Sequence, residues 1–403
     1  MSTITDPPQG SFRLSMLLND TRYRGYTFQF IALVLLIGAM GYLMSNLFSN
    51  LAAQGLNISY QFLDEPAGYG IAQTMVEYTS QSSHLQAAWV GILNTLLVAF
   101  LACVTATILG VTAGVLRLSK NWLVAKLMSA YVEAFRNVPV LIWILVINTI
   151  VITMPSPRAY RGETPDTEML FGLIAYTNRG VYIPAPTFGP GSMVVVLVFL
   201  ASILGIFMYR RYAIKQLYDH GRDLPTFLPS LALFFIPTLL AYFIMGRPIG
   251  VDVPALQGFN FQGGTQIGRP LIALWLALSI YTGAFIAENV RAGIQAVSKG
   301  QTEAAASLGL RPNRVMNLVV LPQALRVIIP PLISQFLNIT KNSSLAIAVG
   351  YEDITATLGG ITLNQTGRAI ECILLLMLFY LTISLLISAV MNVYNNSVSL
   401  KER

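Results

Sequence analysis

Charged residues are scarce in this chain of 403 residues: only 11% are Asp, Glu, Lys or Arg, against about a quarter in a typical soluble domain. By contrast, 55% of the residues are hydrophobic and the mean hydropathy is +0.63. This balance excludes an ordinary soluble domain. It predicts a polytopic membrane protein of the all-α class, built from apolar helices joined by polar loops.

Residues that form disulfides or bind metals are also few. Cys103 and Cys372 both lie in apolar runs, which indicates small buried hydrophobic side chains rather than a disulfide framework. His84 and His220 lie far apart on different loops, so the sequence predicts no metal site.

The signatures of catalysis are missing as well. No GxxxxGK[ST] phosphate-binding pattern occurs, and no Ser/His/Asp set, zinc signature or dinucleotide-binding glycine pattern stands out. We therefore expect no enzyme activity and no cofactor in this chain. If the protein pumps a solute, the energy must come from an ion gradient or from another subunit.

Eight apolar runs are long enough to cross a bilayer, which takes roughly 20 residues. They are predicted at residues 28–48, 89–116, 122–153, 193–209, 226–245, 270–292, 327–350 and 369–393. The first run could instead be a signal peptide, but the polar region before it is too long, so a helix is favoured.

The distribution of basic residues predicts the orientation. The net charge is +7, and the strong basic clusters fall at residues 117–126, 210–222, 299–326 and 401–403. Residues 49–88 contain no Lys or Arg. This pattern fits the positive-inside rule better than nucleic-acid binding, and it puts both termini in the cytoplasm.

The longest polar run that is competent to form a helix lies between two apolar segments, at residues 299–326. Good helix formers fill its first third, with Thr302 as a predicted N-cap and Gly309 as a stop signal. A short helix and a turn are expected next, and Pro322 is expected to break the chain again before the apolar run that starts at Val327. The segment is thus predicted to be a surface helix beneath the membrane bundle, presented to a soluble partner.

The spacing within this segment resembles a known motif. Glu303-Ala304-Ala305, then Gly309, then Leu321-Pro322 reproduces the EAA loop of bacterial ATP-binding cassette (ABC) importer permeases, with Val319 where the pattern usually has Ile. Flanking stretches resemble the polar amino acid branch of that family: GILNTL at 91–96, FRNVP at 135–139, AENVRAGI at 287–294, LPQA at 321–324 and KNSSL at 341–345. The enlarged chain is similar to the general L-amino acid permease subunits of proteobacteria.

The resemblance implies a division of the chain. Residues 1–88 would hold the N-terminal cytoplasmic segment, the first helix and an outside loop. A five-helix core would follow in two parts, at 89–153 and 270–395, separated by an insertion with two further helices at 154–269. Residues 396–403 would form a cytoplasmic tail.

The resemblance also implies partners in the bacterial inner membrane. These are a second, related permease subunit, two copies of a cytoplasmic ATPase that binds ATP and Mg, and a periplasmic amino acid-binding protein. Membrane lipid is expected around the helices, and no nucleic acid. A gradient-driven secondary transporter and a membrane anchor or channel without a pumping role are the alternatives.

In this family the EAA loop couples the permease to the ATPase. The resemblance therefore assigns the coupling role to Glu303, Ala304, Ala305, Gly309, Leu321 and Pro322. The two small alanines would permit close approach of the ATPase, and Gly309 would allow a sharp exit from the helix.

Polar groups at membrane depth are costly and usually line a cavity, so they are the candidates for cargo contacts. In the seventh span these are Asn338, Thr340, Lys341, Asn342, Ser343 and Ser344. Lys341 either meets a carboxylate of the cargo or extends to the outer interface. Glu133 and Glu288 could meet an ammonium group, but ion pairs with Arg136 and Arg291, three residues along their helices, are the favoured roles.

Overall fold

The structure is a computed structural model that describes residues 16–53, 55, 57–162 and 166–398. Within those ranges, eight helical segments are long and apolar enough to cross a membrane, as predicted. The predicted N-terminal segment before Met16 and the tail from residue 399 lie outside the described residues.

The chain divides into two units, one up to Gln61 and one from Phe62 onward. The first unit contains α1 (Met16–Asn19) and α2 (Thr21–Ala53). The predicted first crossing, at residues 28–48, lies inside α2 and is confirmed as a helix.

The second unit contains the remaining helices. They are α3 (His84–Leu116), α4 (Trp122–Asn137), α5 (Val140–Ile152), α6 (Ser192–His220), α7 (Phe227–Ile244), α8 (Arg269–Gln295), α9 (Lys299–Ser307), α10 (Pro312–Val315), α11 (Leu321–Asn342), α12 (Ile354–Ala356), α13 (Leu363–Thr366) and α14 (Ala369–Val398).

Helix α8 lies at the centre of this unit and is the most deeply buried of the candidate spans. It packs against α3, α4, α5 and α11. Glycine permits close contact of α3 with α8, because a Cβ on Gly110 of α3 would lie 2.5 Å from the Cβ of Ile286. Gly114, one turn along α3, would likewise place a Cβ 2.7 Å from the carbonyl oxygen of Ala287, so these two small residues permit close packing of α3 on α8.

The third predicted helix is two helices. Instead of one helix over 122–153, α4 ends at Asn137 and α5 begins at Val140. Val138 is extended, with φ −114° and ψ 133°, because the ring of Pro139 disfavours a helical conformation in the residue before it. Only α5 belongs to the candidate span of this region.

The seventh span begins earlier than predicted, and Pro322 does not break it. A π-helical segment, Met316–Val320, joins α10 to α11, so that one helical candidate span covers Pro312–Val349. This π-helical segment ends two residues before Pro322. Because proline has no N–H to donate, the regular hydrogen-bond pattern of an α-helix is interrupted there. Helix α11 then ends at Asn342, and Ser343–Val349 forms a tighter 3₁₀ turn instead of continuing the helix.

The two Gly- and Pro-rich loops of the insertion contain short strands that sequence analysis missed. They are β1 (Ala175–Thr177), β2 (Gly180–Ile183), β3 (Ala185–Phe188), β4 (Ile249–Asp252), β5 (Ala255–Gln257), β6 (Asn260–Gln262) and β7 (Thr265–Gly268). The antiparallel sheets are ordered β1-β2-β7, β3-β4 and β5-β6. Strands of three or four residues are too short to show an alternating pattern.

This topology gives the second unit two distinct ends. The strands β2 and β7 pack at the end where α8 begins, which we call the sheet end. The opposite end, where α8 finishes and α9 begins, is the EAA end. Helices α6 and α7 pair with each other and connect the loops of the insertion.

Candidate functional site

The EAA segment forms the predicted surface helix, α9, but with a different start. Ser298 is extended directly before the helix, whereas Thr302 lies inside it and its hydroxyl donates to the carbonyl of Lys299 over 2.8 Å. The prediction that Thr302 is the N-cap is therefore wrong, because residues 299–301 are already helical.

Gly309 makes the sharp exit from α9. Its φ is +78°, a left-handed conformation that favours glycine, and its N–H donates to the carbonyl of Ala306 over 2.9 Å. Apart from Gly309 and its two chain neighbours, no heavy atom of the described residues lies within 4 Å of the position that a Cβ would take. The backbone conformation, not lack of space, therefore requires glycine here.

The two alanines of the motif have different surroundings. Ala304 is exposed, but Ala305 is only 6% exposed and packs against Val315 and Val320. Ala304 is thus open to a partner, whereas Ala305 is covered by residues of this chain. Its small side chain permits close approach within the chain, between α9 and the π-helical segment.

The remaining motif residues lie at the start of α11. Leu321 and Pro322 are both exposed. The side-chain amide of Gln323 donates to the side-chain oxygen of Gln301 over 3.0 Å, which ties α11 to α9. The exposed residues Glu303, Ala304, Leu308, Gly309, Leu318, Leu321 and Pro322 form what we call the EAA surface, on which Leu308 is 81% exposed.

A close helix crossing connects this surface to the bundle. A Cβ on Gly293 of α8 would lie 2.3 Å from Cγ1 of Ile328 on α11 and 3.2 Å from the carbonyl oxygen of Ala324. Ala324 itself is fully buried. Helices α8 and α11 thus touch directly, close to the point where the chain leaves α8 for α9.

Glu288 collects three arginines at the EAA end. One carboxylate oxygen accepts from Arg117 and lies 3.7 Å from Arg136, and the other accepts from Arg291 over 2.6 Å. The predicted pair of Glu288 with Arg291 is confirmed. Both carboxylate oxygens of Glu288 thus have cationic partners within the chain.

The other predicted ion pair is not formed. Arg136 approaches Glu288 and stacks over Phe285 at 5.2 Å, rather than pairing with Glu133. Glu133 is exposed on α4, and none of the salt bridges among the described residues includes it. The prediction of a Glu133–Arg136 pair is wrong, because α4 packs against α8 and brings Arg136 to Glu288 instead.

The polar run of the seventh span divides into two groups. The hydroxyls of Thr340, Ser343 and Ser344 donate to backbone carbonyls three or four residues earlier, at 2.7–3.0 Å. These hydroxyls therefore stabilise the end of α11. Asn338 and Lys341 are exposed, and Asn342 is half-buried.

A polar network at the sheet end joins α3 to the segment after the seventh span. Asn94 is fully buried, and its side-chain amide donates to the carbonyls of Gln73 and Glu352, both over 2.9 Å. The Thr95 hydroxyl accepts from the N–H of Ile354 over 3.1 Å. These residues belong to the GILNTL stretch, whose pattern indicated the family but not this role.

Asp353 begins the short helix α12 in the same network. Its carboxylate accepts from the N–H of Ala356 over 2.9 Å, and the side chain is fully buried. Burial raises the pKa of Asp353 to about 6, because the ionised form loses more hydration than its backbone hydrogen bonds restore. Among the described residues, no group of three or more His, Cys, Asp or Glu side chains could hold a metal ion.

Comparison with known proteins places this architecture in a family. The pattern that defines the "Binding-protein-dependent transport system inner membrane component" family matches residues 197–400. The glutamate/glutamine/aspartate/asparagine transport system permease protein BztB of Rhodobacter capsulatus is 50% identical over 100% of both chains. This chain belongs to that family of permeases.

Two further relatives are similar over nearly the whole length. The putative amino-acid ABC transporter permease protein YhdX of Escherichia coli is 45% identical, over 96% of this chain and 98% of YhdX. The general L-amino acid transport system permease protein AapQ of Rhizobium johnstonii is 42% identical, over 98% of this chain and 96% of AapQ. As an ABC importer permease, the chain is a membrane subunit and not an enzyme, and it works with a separate ATPase and a binding protein.

Proposed function

We propose that this permease imports polar L-amino acids, driven by ATP hydrolysis in a partner subunit. The observation that carries the proposal is the 50% identity to BztB over the full length of both chains. AapQ, whose name describes a general L-amino acid system, supports a cargo range wider than a single amino acid.

The complete importer would contain this chain, a second related permease, two copies of a cytoplasmic ATPase that binds ATP and Mg, and a periplasmic binding protein. It would lie in the bacterial inner membrane with both termini in the cytoplasm. The charge distribution supports this orientation: Arg117, Lys120, Lys126 and Lys299 lie at the EAA end, whereas residues 62–83 at the sheet end include no Lys or Arg.

Coupling would pass through the EAA surface. Helix α9 would seat against the ATPase with Glu303 and Ala304, while Gly309, Leu321 and Pro322 shape the adjoining turn. Closure of the ATPase dimer would displace α9, and the contact of Gly293 with Ile328 would transmit that movement to α8 and α11. A rigid-body tilt of these helices would open the pathway to each side in turn.

The cargo would meet the exposed part of the polar run on α11. Asn338 and Lys341 are three residues apart, so they share one helix face, and both are exposed. We assign to Lys341 the binding of a cargo carboxylate in a cavity shared with the second permease. Thr340, Asn342, Ser343 and Ser344 would support the end of the helix, and Glu133 and Glu288 would not contact the cargo.

Uptake of radiolabelled L-glutamate and L-glutamine in cells expressing the whole importer tests the proposal. Uptake should stop when the phosphate-binding lysine of the ATPase is substituted so that ATP is no longer hydrolysed. It should persist with an uncoupler under conditions that maintain ATP. The reverse pattern would indicate a gradient-driven transporter. Lys341→Gln should raise the concentration for half-maximal uptake about tenfold or more, since a hydrogen bond to a charged group is lost. Unchanged uptake would mean that Lys341 only reaches the membrane interface.

A further inference from the structure

A small polar cavity of about 230 Å³ lies at the sheet end, away from the run on α11. The insertion contributes Arg179, Gln266 and Gly268 to its lining, and the loop before α3 contributes Ala72 and Gln73. Tyr351 and Glu352, from the segment after the seventh span, close it. Its volume is below the roughly 300–1,000 Å³ of pockets for drug-sized ligands, so it suits a small metabolite.

Two opposite charges line this cavity without neutralising each other. Arg179 supplies a guanidinium and Glu352 a carboxylate, yet neither takes part in a salt bridge within 4.0 Å among the residues that the structure describes. Burial raises the pKa of Glu352, and the neighbouring backbone, including that of Ala72, offsets only part of this shift.

The backbone around each charge is fixed. Asn94 holds the carbonyls of Gln73 and Glu352 with one amide group. The N–H of Arg179 donates to the hydroxyl of Thr177 over 3.2 Å, and its carbonyl accepts from the N–H of Arg269 over 3.2 Å. The turn between β1 and β2 is thus pinned to the start of α8, and binding would require little ordering of the backbone.

One further group in the cavity lacks a partner. The side-chain oxygen of Gln73 is buried and has no hydrogen-bond partner among the described residues, and it lies 3.5 Å from the position that a Cβ on Gly268 would take. A buried polar atom of this kind usually has a partner, because leaving it unpaired costs free energy. An N–H donor of a bound molecule would satisfy it.

We propose that this cavity binds the zwitterionic part of a free α-amino acid, with its carboxylate on Arg179 and its ammonium on Glu352 and Gln73. The choice of an amino acid as the ligand rests on the proposed function. The cavity is separate from the polar run around Lys341. Glu352 also borders a second cavity of about 360 Å³, lined by Ile347, Ala356 and Asn364, so an amino acid released from the first has adjoining space at the same end.

The assignment explains a feature of the insertion. Residues 154–269 add strands whose β1–β2 turn places Arg179 against residues of the core segments. Of the residues that line the cavity, Gln73 and Glu352 come from outside the insertion, and the insertion adds the guanidinium. The insertion thus converts a partly acidic surface into a site for both ends of an amino acid.

Equilibrium binding of tritiated L-glutamine to the assembled importer in nanodiscs, without the binding protein and ATP, tests the assignment. Unlabelled L-glutamine should displace the label. Glutamine methyl ester, which lacks the carboxylate, and 4-carbamoylbutanoate, which lacks the ammonium, should compete at least about tenfold less well. Arg179→Gln and Glu352→Gln should each weaken binding by a similar factor.

Two control variants separate recognition from loss of structure. Arg158→Gln changes an exposed arginine of the same insertion that stacks over Phe259 at 5.2 Å and does not line the cavity, so binding should be unchanged. Arg179→Lys keeps the positive charge and should bind better than Arg179→Gln.

Two results would overturn the assignment. One is loss of binding in Lys341→Gln together with full binding in Arg179→Gln and Glu352→Gln. The other is absence of binding to the wild-type complex. If the wild type imports L-glutamine with ATP and either result occurs, this inference fails and the proposed function stands. If the wild type imports no amino acid, the proposed function fails on its own test.

Discussion

Arg117, which follows α3, donates a charge-assisted hydrogen bond to Glu288 on α8 at the EAA end. The side chain of Arg117 is only 11% exposed, so water replaces this contact poorly. Together with Arg136 from α4 and Arg291 from α8, the pair joins three helices next to the segment that carries the EAA motif.

Removal of the charge on Glu288 should therefore destabilise the protein. Glu288→Gln leaves three arginines without a carboxylate and should lower the free energy of unfolding by about 1–3 kcal/mol. Thermal unfolding of the purified protein in detergent measures the effect. Glu133→Gln is the matched control: this exposed glutamate forms no salt bridge in the described ranges, and its change should be about 0.5 kcal/mol or less.

Gly91 permits the contact of α3 with the segment after the seventh span. A Cβ there would lie 2.2 Å from the Thr357 hydroxyl oxygen and 2.9 Å from the Ile354 Cα, so Gly91→Ala should cost about 1–3 kcal/mol of stability. Gly205 lies on α6, and apart from the adjoining backbone of that helix no described residue comes within 4 Å of a Cβ there, so Gly205→Ala should be neutral or slightly stabilising. Equal unfolding temperatures for the two variants would refute the close packing at Gly91.

The stability of the protein should depend on pH through Asp353. Its pKa in the folded protein is about 6, above the model-peptide value of 3.8, so the folded state binds the proton more tightly than the unfolded state. The resulting stabilisation is fully present below about pH 4 and is lost as the pH rises through about 6.

Asp353→Asn keeps the oxygen that accepts from Ala356 but carries no charge. At pH 7–8 the variant should therefore be more stable than the wild type by a free energy of unfolding on the order of 1–3 kcal/mol, seen as a higher unfolding temperature. The difference should shrink toward pH 4. Glu77→Gln, a change of an exposed acid at the same end, should leave the profile as in the wild type. A constant difference between Asp353→Asn and the wild type across this range would contradict the assignment.

Gly309 should be essential for coupling and dispensable for insertion into the membrane. Its φ of +78° costs a β-branched residue about 1–2 kcal/mol, so Gly309→Val should change the turn after α9. We expect lower uptake and weaker co-purification of the ATPase, with an unchanged amount of protein in the membrane. Gly300→Val, a change at a glycine inside α9, is the control and should affect uptake less. Normal uptake by Gly309→Val would refute the role of the turn.

Sequence analysis predicted the membrane class, the number of candidate spans and the EAA motif, because apolar length and motif spacing are local properties. It did not predict the break at Val138, where the effect of Pro139 outweighs an apolar pattern that continues across it. It also extended the seventh helix through Ser343, since the pattern does not distinguish an α-helix from a 3₁₀ turn.

Contacts between segments that are distant in the sequence could not be predicted from it. Arg136 lies three residues from Glu133, but it approaches Glu288, which is more than 150 residues away, because α4 packs against α8. Ala304 and Ala305 are identical and adjacent in sequence, yet only Ala305 is buried by the hydrophobic residues that follow α9. The strands that bring Arg179 to Glu352 pair two loops separated by both inserted helices.

Site-specific crosslinking tests the central claim, that the EAA surface is the docking site of the ATPase. Ala304→Cys places a thiol on the exposed side of α9, and Val251→Cys places one on an exposed strand at the sheet end. With a short photoreactive maleimide in the assembled importer, Ala304→Cys should crosslink to the ATPase subunit and Val251→Cys should not. A crosslink to the ATPase from Val251→Cys, with none from Ala304→Cys, would contradict both the docking site and the orientation of the chain in the membrane.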